Sequence, residues 1–213
     1  MSGAPAFDNG FRDRLVELLA WRRDVRRFRT DPLPTGALER LIGLGCLAPS
    51  VGLSEPWRFV VVDDVSRRNA LRENFRACNA DALAAYHGER AQRYAALKLA
   101  GFDEAPAQVA VFVDRSTEQG YGVGRRTMPE TADYSVVAAI QTLWLAARAE
   151  GIGVGWVSIL DPTAINDALD VPKGWSFIAY LCIGYPLESS SVPELERAGW
   201  EHRRTPEEFI VRR

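Results

Sequence analysis

The stretch WRRDVRRFRTD, residues 21 to 31, sets five arginines within eight positions, Arg22, Arg23, Arg26, Arg27 and Arg29, and places one carboxylate, Asp24, among them. Guanidinium forks match phosphate oxygens in planar, bidentate geometry and keep their charge at any working pH, so such a cluster suits a phosphate seat. A solvated basic turn accounts for the same charges equally well. The acid is harder to explain, because a carboxylate beside a bound anion is repelled unless the arginines compensate it. Two roles fit Asp24. It is an ion-pair partner for Arg26 or Arg27, or it is a general acid/base that neighbouring cations keep ionised by lowering its pKa.

The rest of the chain bounds what this cluster can serve. Its 213 residues, 47% of them hydrophobic, are enough to bury a core and fit one domain over 1–213 better than two. With 26 basic and 28 acidic side chains the net charge is -2, so no overall field recruits nucleic acid or an anionic membrane, and the arginines act locally. Cys46, Cys78 and Cys182 are odd in number and lack CxxC spacing, which argues against a disulfide framework and fits a reducing cytoplasm. No apolar run is long enough for a membrane span, and the N-terminal residues lack the basic-then-apolar order of a signal peptide. His87 and His202 are the two histidines, without HExxH or paired Cys/His spacing, so no protein-bound metal is expected and demanding chemistry falls to an organic cofactor.

Helical periodicity over 11–22 and again from Leu38 to Cys46 flanks the arginines. WRFVVVDD (57–64), AQVAVFVD (107–114) and SFIAYLCIGYP (176–186) read as strands covered on both faces, and GVGWVSI (153–159) as a weaker one. Residues 64 to 105 read as a helical excursion whose middle is polar around much of its circumference, with Tyr86, Arg90, Arg93 and Tyr94 at helical spacing. The segment 131–151 is apolar almost all round and belongs in a core or a dimer interface. From 187 onward, two prolines, several charges and little periodicity predict a surface path. The order is that of an α+β protein with long helices on a central sheet.

RRDVRRF (22–28), LAPSVGLSEPWRFVVV (47–62) and GIGVGWVSI (151–159), in that order, resemble the nitroreductase-like flavoprotein family over about residues 11–210. The resemblance implies a nitroreductase-like fold with a central mixed sheet, and a homodimer with FMN in two clefts at the subunit interface. It seats the FMN phosphate on Arg22, Arg23 and Arg26 and on a tail arginine, Arg203 or Arg204, with Val25, Ser50 and Leu53 as further flavin contacts, and it puts 131–151 at the interface. The Ser158 hydroxyl is implied near the reactive edge of the flavin, where glycines let the backbone come close. A strand-end serine satisfying a backbone group is the alternative.

Three positions depart from an ordinary member, which carries a small polar residue at 24, Asn at 53 and Gln at 55; here stand Asp24, Leu53 and Glu55. Together with the excursion, these features are similar to a branch of the family that consumes reduced FMN with dioxygen instead of recycling it. That likeness implies 5,6-dimethylbenzimidazole, the lower ligand of vitamin B12, as product, with erythrose 4-phosphate released. Asp24 is then expected to be the acid/base at the ribityl chain and Ser158 to assist at the ring. Residues 80–105 would be a lid that excludes water, and 187–213 an extended arm. NAD(P)H would enter only indirectly, through a separate flavin reductase. A conventional NAD(P)H-dependent FMN reductase and a non-catalytic flavin-binding protein are the rival readings.

Overall fold

The computed structural model describes residues 3–97 and 101–213, so residues 98–100 of the expected lid lie outside the described residues. Helix α1 (Asn9–Trp21) opens on Asp8, whose side chain accepts from the Phe11 N–H at 2.7 Å, and α2 (Ala37–Gly45) follows the arginine segment. Strand β1 (Trp57–Val61) leads into α3 (Val65–Ala84), α4 (Gly88–Ala96) and the short α5 (Gly101–Glu104). Then come β2 (Ala107–Asp114), α6 (Thr131–Ala149), β3 (Gly153–Val157), α7 (Pro162–Leu169) and β4 (Trp175–Gly184). The expected surface path after β4 contains two short helical turns, α8 (Glu194–Arg197) and a 3-10 turn at Pro206–Phe209.

The strands form one sheet in the order β1-β2-β4-β3, every neighbouring pair antiparallel. The mixed character expected of the sheet enters through one parallel bridge, between Asp24 and Val154 on the outer side of β3. Side chains alternate across a strand, and here both faces are covered. Val109, Val111 and Val113 of β2 join Leu181 and Ile183 of β4 against α2 and α6, whereas Ala110, Phe112, Tyr180 and Cys182 face the α3 and α7 side. That is why these strands read as continuous apolar runs although no helical crossover makes them parallel.

Helix α6 buries Val136, Ile140 and Leu143 in the core but leaves Tyr134 and Val137 exposed on its outer side. No residue of α1 is buried, and its Phe11, Leu15 and Leu19 stand open to solvent.

Candidate active site

Between α1 and α2 the chain runs along the edge of the sheet beside β3. As the last strand in the order, β3 has unpaired backbone groups on its outer side. The arginine segment takes them up. The Val25 N–H donates to the Val154 carbonyl at 3.0 Å, and the Trp156 N–H donates to Asp24 Oδ1 at 2.8 Å, so a side chain completes what a neighbouring strand would otherwise supply. The segment then crosses to the end of β4, where the Arg29 N–H donates to the Tyr185 carbonyl at 2.8 Å. Glu104 clamps it from α5, accepting from Arg27 and, at 2.8 Å, from the Phe28 N–H. A Cβ at Gly155 would stand 2.1 Å from the Val25 carbonyl oxygen, so only glycine admits this approach. The glycines of GVGWV therefore make room for Val25, a correction to the expectation that they make room for a flat ring.

This segment forms one wall of a cleft of about 390 Å³, within the usual size of small-molecule sites. Trp144 and Arg148 of α6 and the segment 186–198 complete it. Arg23, Asp24, Val25 and Arg26 line it. The Asp24 side chain is 38% exposed along this lining, with Oδ1 taken by the Trp156 N–H and Oδ2 turned to the Arg26 side. Burial raises the Asp24 pKa above its ordinary value; the Trp156 N–H and Arg26 oppose the shift, and Glu194 adds to it. The expectation that the arginines hold Asp24 low is thus reversed. Desolvation of the carboxylate outweighs the cations, whose contacts are indirect: the Arg26 Nε lies 3.7 Å from Oδ2. Arg27 turns away to Glu104, so Arg26 is the ion-pair partner of the two weighed.

The arginines fall into two zones. Arg22 sits over the Trp144 ring at 4.9 Å, with its pKa lowered by burial and, less, by Arg203, against the opposing pull of Asp24; Arg23 is lowered by burial and then by Arg203 and Arg22, against Glu196. These three cations repel one another even with Asp24 and Glu196 nearby, a repulsion that a bound anion would relieve. Arg23 nonetheless gives its N–H groups to the carbonyls of Ala20, Arg22 and Ser191, so it contributes charge to the cleft more than free donors. Arg26, 10% exposed, lies between the carboxylates of Asp24 and Glu194, and its Nε and one terminal nitrogen are buried without a hydrogen-bond partner. A buried donor left unpaired is costly, and a ligand rich in oxygen acceptors would satisfy it.

The remaining candidates lie elsewhere. Ser50 and Leu53 belong to the turn after α2, which meets the first turns of α6 through a 3.0 Å bond from the Val51 N–H to Ser135 Oγ. Ser135 and Trp144 are nine residues apart on α6, about 14 Å at 1.5 Å per residue, so the turn and the arginine cleft occupy different ends of that helix. Ser50 Oγ accepts from the Glu55 N–H, and Gln119 Nε2 donates to the Leu53 carbonyl and to Glu55 Oε2 at 2.8 and 2.9 Å. These bonds hold Leu53 and Glu55 in left-handed backbone (φ 54° and 41°), with the Leu53 side chain 71% exposed. Ser158 is exposed, one residue past the end of β3. Arg203 and Arg204 are exposed in the tail, Arg203 near enough to act on Arg22 and Arg23.

Sequence reasoning missed Glu194 and Trp200. Trp200 packs against Tyr86 and Tyr94 with ring centroids 5.6 and 6.2 Å away, and Arg93 donates to the Gly199 carbonyl at 2.6 Å. The helical spacing expected of Tyr86, Arg90, Arg93 and Tyr94 does not hold for Tyr86, which lies between α3 and α4; its ring meets Tyr94 across that break at 4.9 Å.

Fold and cleft together define an α+β protein that presents a basic cleft with an embedded acid along the edge of an antiparallel sheet. The chain belongs to the nitroreductase family, whose pattern matches residues 19–185. It is 58% identical over 204 residues to the 5,6-dimethylbenzimidazole synthase of Rhodospirillum rubrum, across 96% of this chain and 97% of that protein. It is 49% identical to the 5,6-dimethylbenzimidazole synthase of Rhodobacter capsulatus, across 92% and 94%. In fold it is similar to oxidized iodotyrosine deiodinase bound to FMN and 3-iodo-L-tyrosine, with a TM-score of 0.69 at 22% identity, across 83% of this chain and 91% of that one.

Proposed function

We propose that this protein is a 5,6-dimethylbenzimidazole synthase that fragments reduced FMN with dioxygen and releases erythrose 4-phosphate. The reading rests on the 58% likeness to the Rhodospirillum rubrum synthase along nearly the whole of both chains. The cleft suits the ligand. Arg22, Arg23 and Arg203 gather positive charge for the phosphate, while Arg26, with its unpartnered N–H groups, suits the hydroxyls of the ribityl chain. When bound, reduced FMN supplies the electrons that activate dioxygen, and it is itself the carbon source.

Retaining the first ribityl carbon in a benzimidazole requires protons to be taken from and returned near that carbon, and Asp24 is the group for it. Its Oδ1 is anchored on the Trp156 N–H, and the residue lines the cleft with a partly exposed side chain. A carboxylate with a raised pKa is a better acid/base near neutral pH than one held low. Ser158 is assigned to the ring edge, its exposure just after β3 leaving the hydroxyl free to reach a ligand.

A homodimer fits the distribution of apolar surface. The outward residues of α1, Tyr134 and Val137 of α6, and Phe209, Ile210 and Val211 of the tail are exposed. A second copy would also bring the turn carrying Ser50 and Leu53 toward an arginine cleft that lies at the far end of α6 in its own chain. The end of α3 and α4, within the expected lid, serve to keep water from the reaction, and a separate flavin reductase supplies the reduced FMN.

The decisive experiment mixes the purified protein with photoreduced FMN in air and analyses the small molecules by chromatography and mass. Dimethylbenzimidazole forming in step with flavin loss is the expected result. Quantitative return of oxidised FMN would overturn the reading in favour of a reductase or a flavin-binding protein.

A further inference from the structure

The segment after β4 returns a second carboxylate to the cleft. Glu194, the first residue of α8, lies with Oε2 3.8 Å from the Arg26 Nε, matching the 3.7 Å from that atom to Asp24 Oδ2. Neither carboxylate makes a hydrogen bond to Nε, which stays unpartnered. The placement is built. At one end of this stretch Arg23 holds the Ser191 carbonyl at 2.8 and 2.6 Å; at the other, Arg93 holds the Gly199 carbonyl and Trp200 sits against Tyr86 and Tyr94.

The geometry points to Glu194 as a positioning residue: a counter-carboxylate that draws Arg26 away from Asp24, so that their ion pair does not close into a hydrogen-bonded one. This inference deepens the synthase reading and rests on it for the identity of the ligand. The physical reason is competition. Arg26 has one buried guanidinium, and an unopposed carboxylate at this distance would gain a bidentate pair by closing the gap. Such a pair would consume the two donors and hold Asp24 strongly ionised, weakening it as a proton carrier. With Glu194 opposite, the attractions balance.

The groups facing Asp24 come from four places besides its own segment, which contributes Arg26. These are Arg22 at the end of α1, Glu194 of α8, the Trp156 N–H of β3, and Cys182 of β4, whose thiol is itself pushed up by burial and by Asp24. Replacing Glu194 by Gln removes a like charge and releases Arg26 toward Asp24. Both changes act in one direction, so the midpoint of Asp24 should move to lower pH.

The test is a carbon-13 NMR titration of the Asp24 carboxylate in the ligand-free protein, assigned with Asp24→Asn, in the wild type, Glu194→Gln and Glu194→Asp. The expected result is a lower midpoint in Glu194→Gln and a return toward the wild-type midpoint in Glu194→Asp. In parallel, the acid limb of the pH profile for benzimidazole formation should move to lower pH in Glu194→Gln, with the rate at neutral pH falling about tenfold. An unchanged Asp24 midpoint in Glu194→Gln would overturn the inference, as would a midpoint in Glu194→Asp that matches Glu194→Gln. A shifted midpoint in a protein that forms no benzimidazole would sink the synthase reading and leave the positioning role standing.

Discussion

The segments 24–28 and 187–200 are joined at one end by the Leu187 N–H donating to the Arg27 carbonyl at 3.0 Å and meet across the cleft at Arg26 and Glu194, yet beyond that bond they are held by different forces. Residues 24–28 are fixed largely through backbone: the bond of Val25 to Val154, the approach over Gly155, and the Asp24 carboxylate in the place of a strand neighbour. Residues 187–200 are held largely by side chains reaching in from elsewhere, Arg23 on Ser191, Arg93 on Gly199 and two tyrosines on Trp200. The first arrangement tolerates little change in geometry, because backbone contacts cannot re-form around a new atom. The second can loosen by degrees. A site that must keep its acid in place while admitting and releasing a ligand has use for one wall of each kind.

The largest expected effect is on the chemistry of the fixed wall. Asp24→Asn should keep flavin binding, measured by fluorescence quenching, while lowering benzimidazole formation by about 10² to 10⁴-fold. The amide oxygen can still accept from the Trp156 N–H, so the wall itself should stand. The same variant makes a stability prediction. Burial raises Asp24 in the folded state, so its contribution is full below the ordinary carboxylate value and is lost as pH rises through the raised one. Asp24→Asn should therefore melt at a higher temperature than the wild type at neutral pH, with the gap closing on acidification. A gap that widens in acid would contradict the direction of the shift.

Next comes the backbone fit. Gly155→Val would put a Cβ 2.1 Å from the Val25 carbonyl oxygen and should cost about 3 kcal/mol in urea unfolding. An unaffected stability would show that the wall is not fixed in the way described. Trp200→Ala should cost less, about 1 to 2 kcal/mol, since it removes two aromatic contacts. It should raise amide hydrogen exchange across 187–200 and leave 24–28 protected; equal deprotection of both would erase the contrast between the walls. The smallest effect is expected from Arg93→Ala, which removes one exposed hydrogen bond to Gly199 and should change stability by less than about 1 kcal/mol.

Much of this architecture was legible in the residues. The strand at 107–114 is bounded as its apolar run predicts, and the helices flanking the arginines and the long helix after 131 appear within a few residues of their expected ends. Arg22 to Arg26 were recognisable as a basic cluster because their charge is carried by local spacing. Glu194 and Trp200 were not, since the segment that holds them has no periodicity and their partners lie far away in the chain. Gln119 was hidden for the same reason, its tie to Leu53 and Glu55 spanning more than sixty residues. The left-handed backbone at Leu53 and Glu55 had no signature in residue type, because neither favours it.

By itself the sequence determined the elements, the family likeness and which chemical groups were available, since periodicity, motif order and side-chain type are local properties. Only the tertiary structure decided how those groups act on one another. Asp24 stands among arginines in the sequence, yet in the fold it rests on a backbone N–H from 132 positions away, keeps Arg26 at a distance and shares it with Glu194. Its pKa moves up because desolvation depends on what packs around a carboxylate, and no count of neighbouring charges along the chain measures that.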